Sequence, residues 1–380
     1  QGLGHIRRNL AIATALQGCA VPPVTLLISG TQLGMALGKP AGVDFLTLPA
    51  VAKDASGCYY ARSLALSLDE IINLRAATIQ STLAAFAPDV LIVDKTPTGL
   101  KDELLPALQT LRRNGRTRCV LGLRDVLDDP VTTRREWDAA DSSASINRFY
   151  DTIWIYGDPS VYDPLQEYNL AAELAPKVRY TGYLDRSSLA SGLENYPPLP
   201  ILARLATKRL ALCMVGGGED GGQLAQAFAL ADLPADTTGI IVTGPYMPPA
   251  TRKKLHRIAS SRPRLKIIEF MPDPLALLQA ADAVVTMGGY NTVCEILAHN
   301  KRALIVPRVK PRLEQFIRAT RLQELGLVDV LHPGNLTPKH LSEWLVSANA
   351  GPDKPRMPID LCGFDRLPHL FNELLAAKPR

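Results

Sequence analysis

Short apolar runs alternate with amphipathic helical stretches along the whole chain, and this alternation limits the possible folds more than any other feature. Neighbouring parallel strands need a crossover long enough to hold a helix, so such a pattern predicts doubly wound parallel sheets of an α/β protein. In the first half the strand candidates are VTLLIS, FLTLPA, DVLIVD, RCVLGLRD and DTIWIYG. The stretches SLDEIINLRAATIQSTLAAF and GLKDELLPALQTLRRNG lie between them as predicted helices, the second closing on basic residues and a glycine as helix ends do. After VRYTGYLDR, the serine-, glycine- and proline-rich stretch SSLASGLENYPPLP interrupts the pattern, which restarts with RLALCMV, GIIVTG, LKIIEF, AVVTM and ALIVP. A chain of 380 residues suits two domains. The boundaries read as 1–184 and 185–350, with 351–380 a proline-rich tail, GPDKPRMPID, and a last helix, HLFNELLAA. That helix has no strand of its own and is expected to cross back to the first domain.

Composition narrows the function classes. A net charge of +5 over this length predicts a basic patch, not the dominant basic face of a nucleic-acid binder. The six cysteines are far apart with no paired CxxC spacing, and no histidine cluster suggests a metal, so they read as reduced thiols. No apolar run of about 18 residues and no signal peptide is visible, so a cytoplasmic protein is expected. The opening stretch, QGLGHIRRNLAIATAL, is a glycine turn running into a helix, and an upstream strand is expected to precede it.

Three places carry candidate chemistry. In the second half RLALCMV leads into GGGEDGG and a helix, so Gly216, Gly217 and Gly218 form either a tight turn or a loop where backbone approaches a phosphate. Glu219 and Asp220 count against the anion reading unless they address a sugar. Next, MGGYNTVCEILAHNKRALIVPRVKPRLEQ places Gly288 and Gly289 in a turn after a strand ending at Met287, with Asn291 or Thr292 as the cap of the following helix. Glu295 falls one turn into that helix, where a carboxylate can accept two hydrogen bonds from a ribose diol, and Glu314 and Gln315 start a further helix. Lastly, His5 stands in the opening glycine turn, where it reads as a base or as a loop histidine; at an unperturbed pKa of about 6.5 it suits proton abstraction near neutrality.

The order GG-x-N-[ST]-x-x-E, then Pro307, then an acidic residue with Gln315, resembles the nucleotide-sugar signature of GT-B glycosyltransferases, and most of all glycosyltransferase family 28. That family includes transfer of N-acetylglucosamine to a lipid-linked peptidoglycan precursor. The opening GLGHIRR resembles the G-x-G-H-x-x-R turn of the same superfamily. The resemblance covers the second domain well and the first mainly through that turn. It implies two facing Rossmann-like domains with His5 pointing into the cleft between them. It also implies ribose contact at Glu295, donor-sugar contact at Gln315 and Glu314, and diphosphate contact from Gly288 through Gly289, Tyr290 and Asn291 to Thr292. Phe270 would lie beside the base, and Gly216–Gly222 would be the phosphate loop. Where the family often has a small residue and a proline after the glutamate, Lys301 and Arg302 stand here.

Sugar transfer requires the acceptor hydroxyl to lose a proton as an oxocarbenium-like centre forms and the diphosphate leaves. His5 is expected to take or direct that proton. Asp94 and Asp125 end strands where acceptors would bind; Asp94 could be a base or orient the acceptor, and both could be helix caps. Arg7 or Arg8 could assist the diphosphate, or both could be a solvated helix face. The arginine clusters LRRNGRTR and TTRRE read as solvated helix ends, or as a surface for an anionic or lipid-linked acceptor at the inner membrane face. No Asp-x-Asp pair ends a strand, so neither metal nor cofactor is expected, only a nucleotide-sugar substrate, most simply uridine-linked, and an inverted product. The competing readings are a hydrolase using water as acceptor, an epimerase, and a binder without turnover.

Overall fold

The computed structural model describes residues 3–31, 38, 40–53, 58–170, 172–189, 202, 208–350 and 358–377. Most of SSLASGLENYPPLP and of GPDKPRMPID lies outside them. The chain divides into two units, Gln1–Leu184 together with Cys362–Arg380, and Asp185–Leu361.

In the first unit β1 (Thr25–Ser29) pairs in parallel with β2 (Val43–Thr47), and β3 (Val51–Lys53) with β4 (Tyr59–Ala61) makes a small antiparallel ladder. A parallel sheet follows in the order β5 (Val90–Asp94), β6 (Arg118–Arg124), β7 (Thr152–Tyr156), β8 (Val178–Tyr180). The three-residue strands β3, β4 and β8 are too short to register as apolar runs. The helix Leu68–Phe86 starts where the capping-box spacing dictates: Ser67 accepts from the Glu70 N–H, and the Glu70 carboxylate accepts from the Ser67 N–H. GLKDELLPALQTLRRNG is not one helix. Left-handed backbone at Lys101 and Asp102 breaks it, and the regular helix is Leu105–Asn114, closed by Gly115 at φ +66°. The helix Gly363–Ala376 belongs to the first unit, where it packs on the helix Leu3–Leu16 and buries Phe364, Leu367 and Phe371. It begins six residues before HLFNELLAA, and a Cβ on Gly363 would stand 2.6 Å from the Tyr183 carbonyl oxygen, so the chain crosses there only as glycine.

The second unit holds one six-stranded, all-parallel sheet: β9 (Arg209–Met214), β10 (Thr237–Val242), β11 (Leu265–Ile268), β12 (Ala283–Thr286), β13 (Arg302–Ile305) and β14 (Asp329–Val330). The spatial order is β11-β10-β9-β12-β13-β14. The order reverses between β9 and β12, and in open α/β sheets ligands bind at the carboxyl ends of the strands beside such a reversal. The core beneath is apolar and closed, with Cys213, Phe228, Ile241, Leu255 and Val285 excluded from solvent. The two glycine loops singled out in the sequence leave β9 and β12, the two strands flanking the reversal.

Candidate active site

In the first unit the opening turn is already helix. Gly4 and His5 lie within Leu3–Leu16, not in a loop. Residues three and four apart share a helix face, so His5, Arg8 and Asn9 project together, and all three meet Asp94 at the end of β5. His5 Nδ1 lies 2.8 Å from Asp94 Oδ2 and 3.0 Å from Arg8 Nη2. Arg8 Nη2 donates to both Asp94 oxygens at 2.7 Å, and Asn9 Nδ2 donates at 3.3 Å. The carboxylate only accepts, so at 2.8 Å it favours a proton on Nδ1, while the closer contacts of Arg8 Nη2 are to the two Asp94 oxygens at 2.7 Å. With the proton on Nδ1 facing Asp94, a neutral ring carries its lone pair on Nε2.

Burial is the strongest influence on Asp94 and would raise its pKa, but the Arg8 charge and the His5 hydrogen bond together hold it well below the usual carboxylate range. His5 shifts below 6.5, first because the packing around it removes water, and then because Arg8 and Arg124 add positive charge; Asp94 opposes this without overcoming it. The side chain still keeps 42% of its surface open. Arg8 is neither a solvated helix residue nor a candidate for the diphosphate. It is buried, committed to Asp94, and lies 5.8 Å from the centre of the Tyr156 ring. Tyr156 is held from below by Gly122, where a Cβ would come 2.2 Å from the phenol oxygen. Asp94 is not a helix cap, since its carboxylate is taken up by His5, Arg8 and Asn9. Asp125 is fully buried and accepts from the Tyr183 hydroxyl at 2.9 Å, which makes it an interior tie. Arg112, Arg113, Arg134 and Arg135 are exposed.

In the second unit, the loop after β9 carries Gly216 at φ +62° and Gly218 at φ +92°, and the Gly217 carbonyl accepts from the Tyr246 N–H at 2.8 Å. The helix Gly222–Leu230 follows. β12 ends at Thr286, one residue before Met287; Thr286 Oγ1 donates to the Met214 carbonyl at 2.9 Å and so ties the ends of the two loop-bearing strands. Gly288 stands at φ +74° and Gly289 is the helix N-cap, with Tyr290–Ala298 helical. Asn291 and Thr292 are therefore inside the first turn and do not cap it. Gly289 reaches the extended cap conformation, φ −60° and ψ 144°, without a capping side chain.

Glu295 is buried and accepts from Arg186 Nη1 at 3.2 Å, while Arg186 Nη2 donates to Asp273 at 2.7 Å. A ribose diol at Glu295 would share the carboxylate with that guanidinium. Phe270 is half-buried and lies two residues beyond β11, which ends at Ile268. Glu314 and Gln315 do open a helix, Glu314–Glu324, and both engage Arg308. The Arg308 N–H donates to Gln315 Oε1 at 3.0 Å, and Arg308 Nη2 lies 3.5 Å from Glu314 Oε1. Lys301 donates to the Gln279 and Ala281 carbonyls at 2.6 and 2.9 Å, closing the end of the helix Leu275–Ala280. Sequence reading passed over Arg186, Asp273 and Arg308, because a single charged residue in a loop has no periodicity or spacing to mark it.

These loops at a strand-order reversal lie in the part of the chain that a family model matches. Residues 212–360 match the Glycosyltransferase family 28 C-terminal domain. Most of the second unit is therefore similar to that domain. Its two glycine loops and the Glu295 and Glu314–Gln315 helices all fall within the match. One relative, the UDP-N-acetylglucosamine–N-acetylmuramyl-(pentapeptide) pyrophosphoryl-undecaprenol N-acetylglucosamine transferase of Haemophilus influenzae (strain PittGG), is 32% identical over 82 residues, 22% of this chain and 23% of the relative. The like-named protein of Baumannia cicadellinicola is 25% identical over 176 residues, 45% of this chain and 48% of its own. The matched stretches thus span about a quarter to a half of these relatives' length.

Solved structures extend the likeness to the whole chain at the level of fold. A putative UDP-N-acetylglucosamine 2-epimerase from Listeria monocytogenes aligns over 99% of this chain and 96% of its own, with a TM-score of 0.66 and 14% identity. The calicheamicin glycosyltransferase CalG4 aligns over 99% and 92%, with 0.58 and 14%. The fold of the two units is GT-B, two Rossmann-like units. Among the described residues no helix is long and apolar enough to cross a membrane.

Proposed function

We propose that the chain is a glycosyltransferase that moves a sugar from a nucleoside-diphosphate sugar, uridine-linked, to an acceptor hydroxyl with inversion. The observation that carries this reading is the His5–Asp94 pair: Nδ1 lies 2.8 Å from Asp94 Oδ2, the arrangement that suits an imidazole whose Nδ1 proton faces the carboxylate and whose Nε2 serves as base. In the proposed reaction His5 Nε2 takes the acceptor proton, the acceptor oxygen bonds to the anomeric carbon, and the bond from that carbon to the diphosphate oxygen breaks. Asp94 stabilises the imidazolium that forms, as a buried carboxylate does in related acid–base pairs. Glu295 holds the ribose, Phe270 flanks the base, and Glu314 and Gln315 address the donor sugar.

Leaving charge is met by the turn from Gly288 to Thr292, at the positive end of the helix Tyr290–Ala298, and by the loop Gly216–Gly222. This assignment needs no divalent ion. A chelator is therefore expected to leave the initial rate of nucleotide release unchanged; loss of activity restored by Mg²⁺ or Mn²⁺ would overturn the metal-free assignment. The family 28 relatives act, by their names, on an undecaprenol-linked substrate, which supports a lipid-linked acceptor and peripheral contact with an inner membrane face.

Nucleotide release from a panel of UDP-, GDP- and dTDP-sugars tests the reading. One UDP-sugar is expected to be hydrolysed slowly and consumed faster when a lipid-linked acceptor is added. Turnover indifferent to every acceptor would make the chain a hydrolase, and binding without turnover would make it a donor-binding protein.

A further inference from the structure

The acidic pair in the glycine loop is the one part of that motif the reading above leaves unexplained, since Glu219 and Asp220 stand where an anion should be welcomed. The structure shows where one of those charges goes. Asp220 Oδ2 accepts from Arg308 Nη1 at 2.9 Å, an ion pair 88 residues apart in sequence. Asp220 leaves the end of β9 and Arg308 leaves the end of β13, and β12 lies between those strands in the sheet. The pair thus joins the two loops that flank the Gly288–Gly289 turn.

Arg308 is anchored at its base and loosely held at its tip. Its N–H is fixed by Gln315, its Nη2 is 3.5 Å from Glu314, and its Nε is buried with no hydrogen-bond partner. Asp220 is 50% exposed, and a half-exposed carboxylate with one good hydrogen bond is a weak competitor for a guanidinium. A diphosphate offers the same guanidinium several charged oxygens in bidentate geometry, which is the stronger arrangement.

We propose that Arg308 recognises the donor diphosphate and is held in place by Asp220 until the donor arrives. This rests on the donor-site reading above and deepens it. Asp220 neutralises Arg308 in the free protein and is displaced toward solvent when the diphosphate takes over its hydrogen bond. The acidic residue in the phosphate loop is then a placeholder for the ligand. It makes the site selective for a diphosphate, because a monophosphate or a bare nucleoside leaves the Asp220–Arg308 pair intact.

Calorimetric titration of the full chain with UDP, UMP and uridine tests this, using wild type, Arg308→Gln, Arg308→Lys and Asp220→Asn. Arg308→Gln is expected to weaken UDP binding about tenfold while leaving UMP and uridine unchanged, and Arg308→Lys to recover part of the loss. Asp220→Asn is expected to strengthen UDP binding severalfold, most at low salt, because the guanidinium no longer has a competitor. If wild type prefers UDP to uridine but Arg308→Gln leaves that preference intact, the proposal fails while the donor reading stands. Equal weakening of all three ligands in both Arg308→Gln and Asp220→Asn would make the pair a loop staple and would also overturn it. Wild type that binds none of the three would remove the donor reading and this inference with it.

Discussion

Replacing His5 by alanine is expected to lower kcat for sugar transfer by about 10²–10⁴-fold while the affinity for UDP stays as in wild type. The loss follows from the removal of the imidazole at the end of β5, where Arg8 and Asn9 are donors and Asp94 is held as the anion and already occupied. Initial rates of UDP release with acceptor present, set beside a UDP titration, separate the chemical step from donor binding. Wild-type rates in the variant would take His5 out of proton transfer.

The pH dependence follows from the same geometry. Because His5 lies below 6.5 in the folded chain, it stays neutral as pH falls through the ordinary histidine range, and the acid limb of kcat/KM is expected below pH 6.5. Asp94 raises the His5 pKa through its hydrogen bond and its charge, so Asp94→Asn should move that limb to still lower pH while kcat drops. The drop arises because an amide can donate to Nδ1 and favour the wrong tautomer. Linkage gives the stability signs. Between the folded His5 pKa and 6.5 the unfolded chain binds more protons, so stability rises with pH across that window. Asp94, depressed in the fold, contributes stability that is present above its unfolded value of 3.8 and is lost as pH falls below it. Asp94→Asn also leaves Arg8 buried without its counter-charge, a change that costs about 3–5 kcal/mol in comparable buried pairs.

What could be read from sequence divides along physical lines. The parallel strands were legible because burial on both faces makes them continuous apolar runs, as in RLALCMV and AVVTM, and the helix at Ser67 was legible because its capping box is local. GLKDELLPALQTLRRNG misled because its apolar spacing is helical throughout, while the break comes from left-handed backbone at Lys101 and Asp102, which residue type does not announce. The site splits the same way. Glycines, Glu295, Glu314 and Gln315 stand in a spaced motif, and His5, Arg8 and Asn9 share a helix face that spacing alone could have shown. Asp94 stands out as a strand-end carboxylate, but its partners do not, and Arg186, Asp273 and Arg308 are not marked at all: these contacts join residues 85 to 109 apart, and no local rule pairs residues at that range.

Gly218→Ala is expected to destabilise the second unit by about 3 kcal/mol and to abolish nucleotide binding. Two causes add. At φ +92° an alanine is strained wherever it points, and its Cβ would lie 2.2 Å from the Thr243 carbonyl oxygen and 2.9 Å from the Met247 nitrogen. Both obstacles are backbone of the segment after β10, which cannot swing aside as a side chain could. Relief requires separating the loop after β9 from that segment, and the Tyr246 N–H to Gly217 bond breaks with it. Gly289→Ala is the control, because Gly289 sits at φ −60° with nothing within 4 Å of the added methyl. It lies in the same motif and is expected to fold as wild type, so any loss it shows belongs to the ligand. Differential scanning calorimetry, with hydrogen exchange across β9 and β10, reads the difference. For a unit of this size about 3 kcal/mol corresponds to roughly 6–12 °C in the midpoint. If Gly218→Ala melts and binds UDP like wild type, the loop after β9 is not the rigid cradle that the donor reading requires. If Gly289→Ala melts as wild type yet loses UDP, the ligand approaches the Gly288–Gly289 turn more closely than a methyl allows.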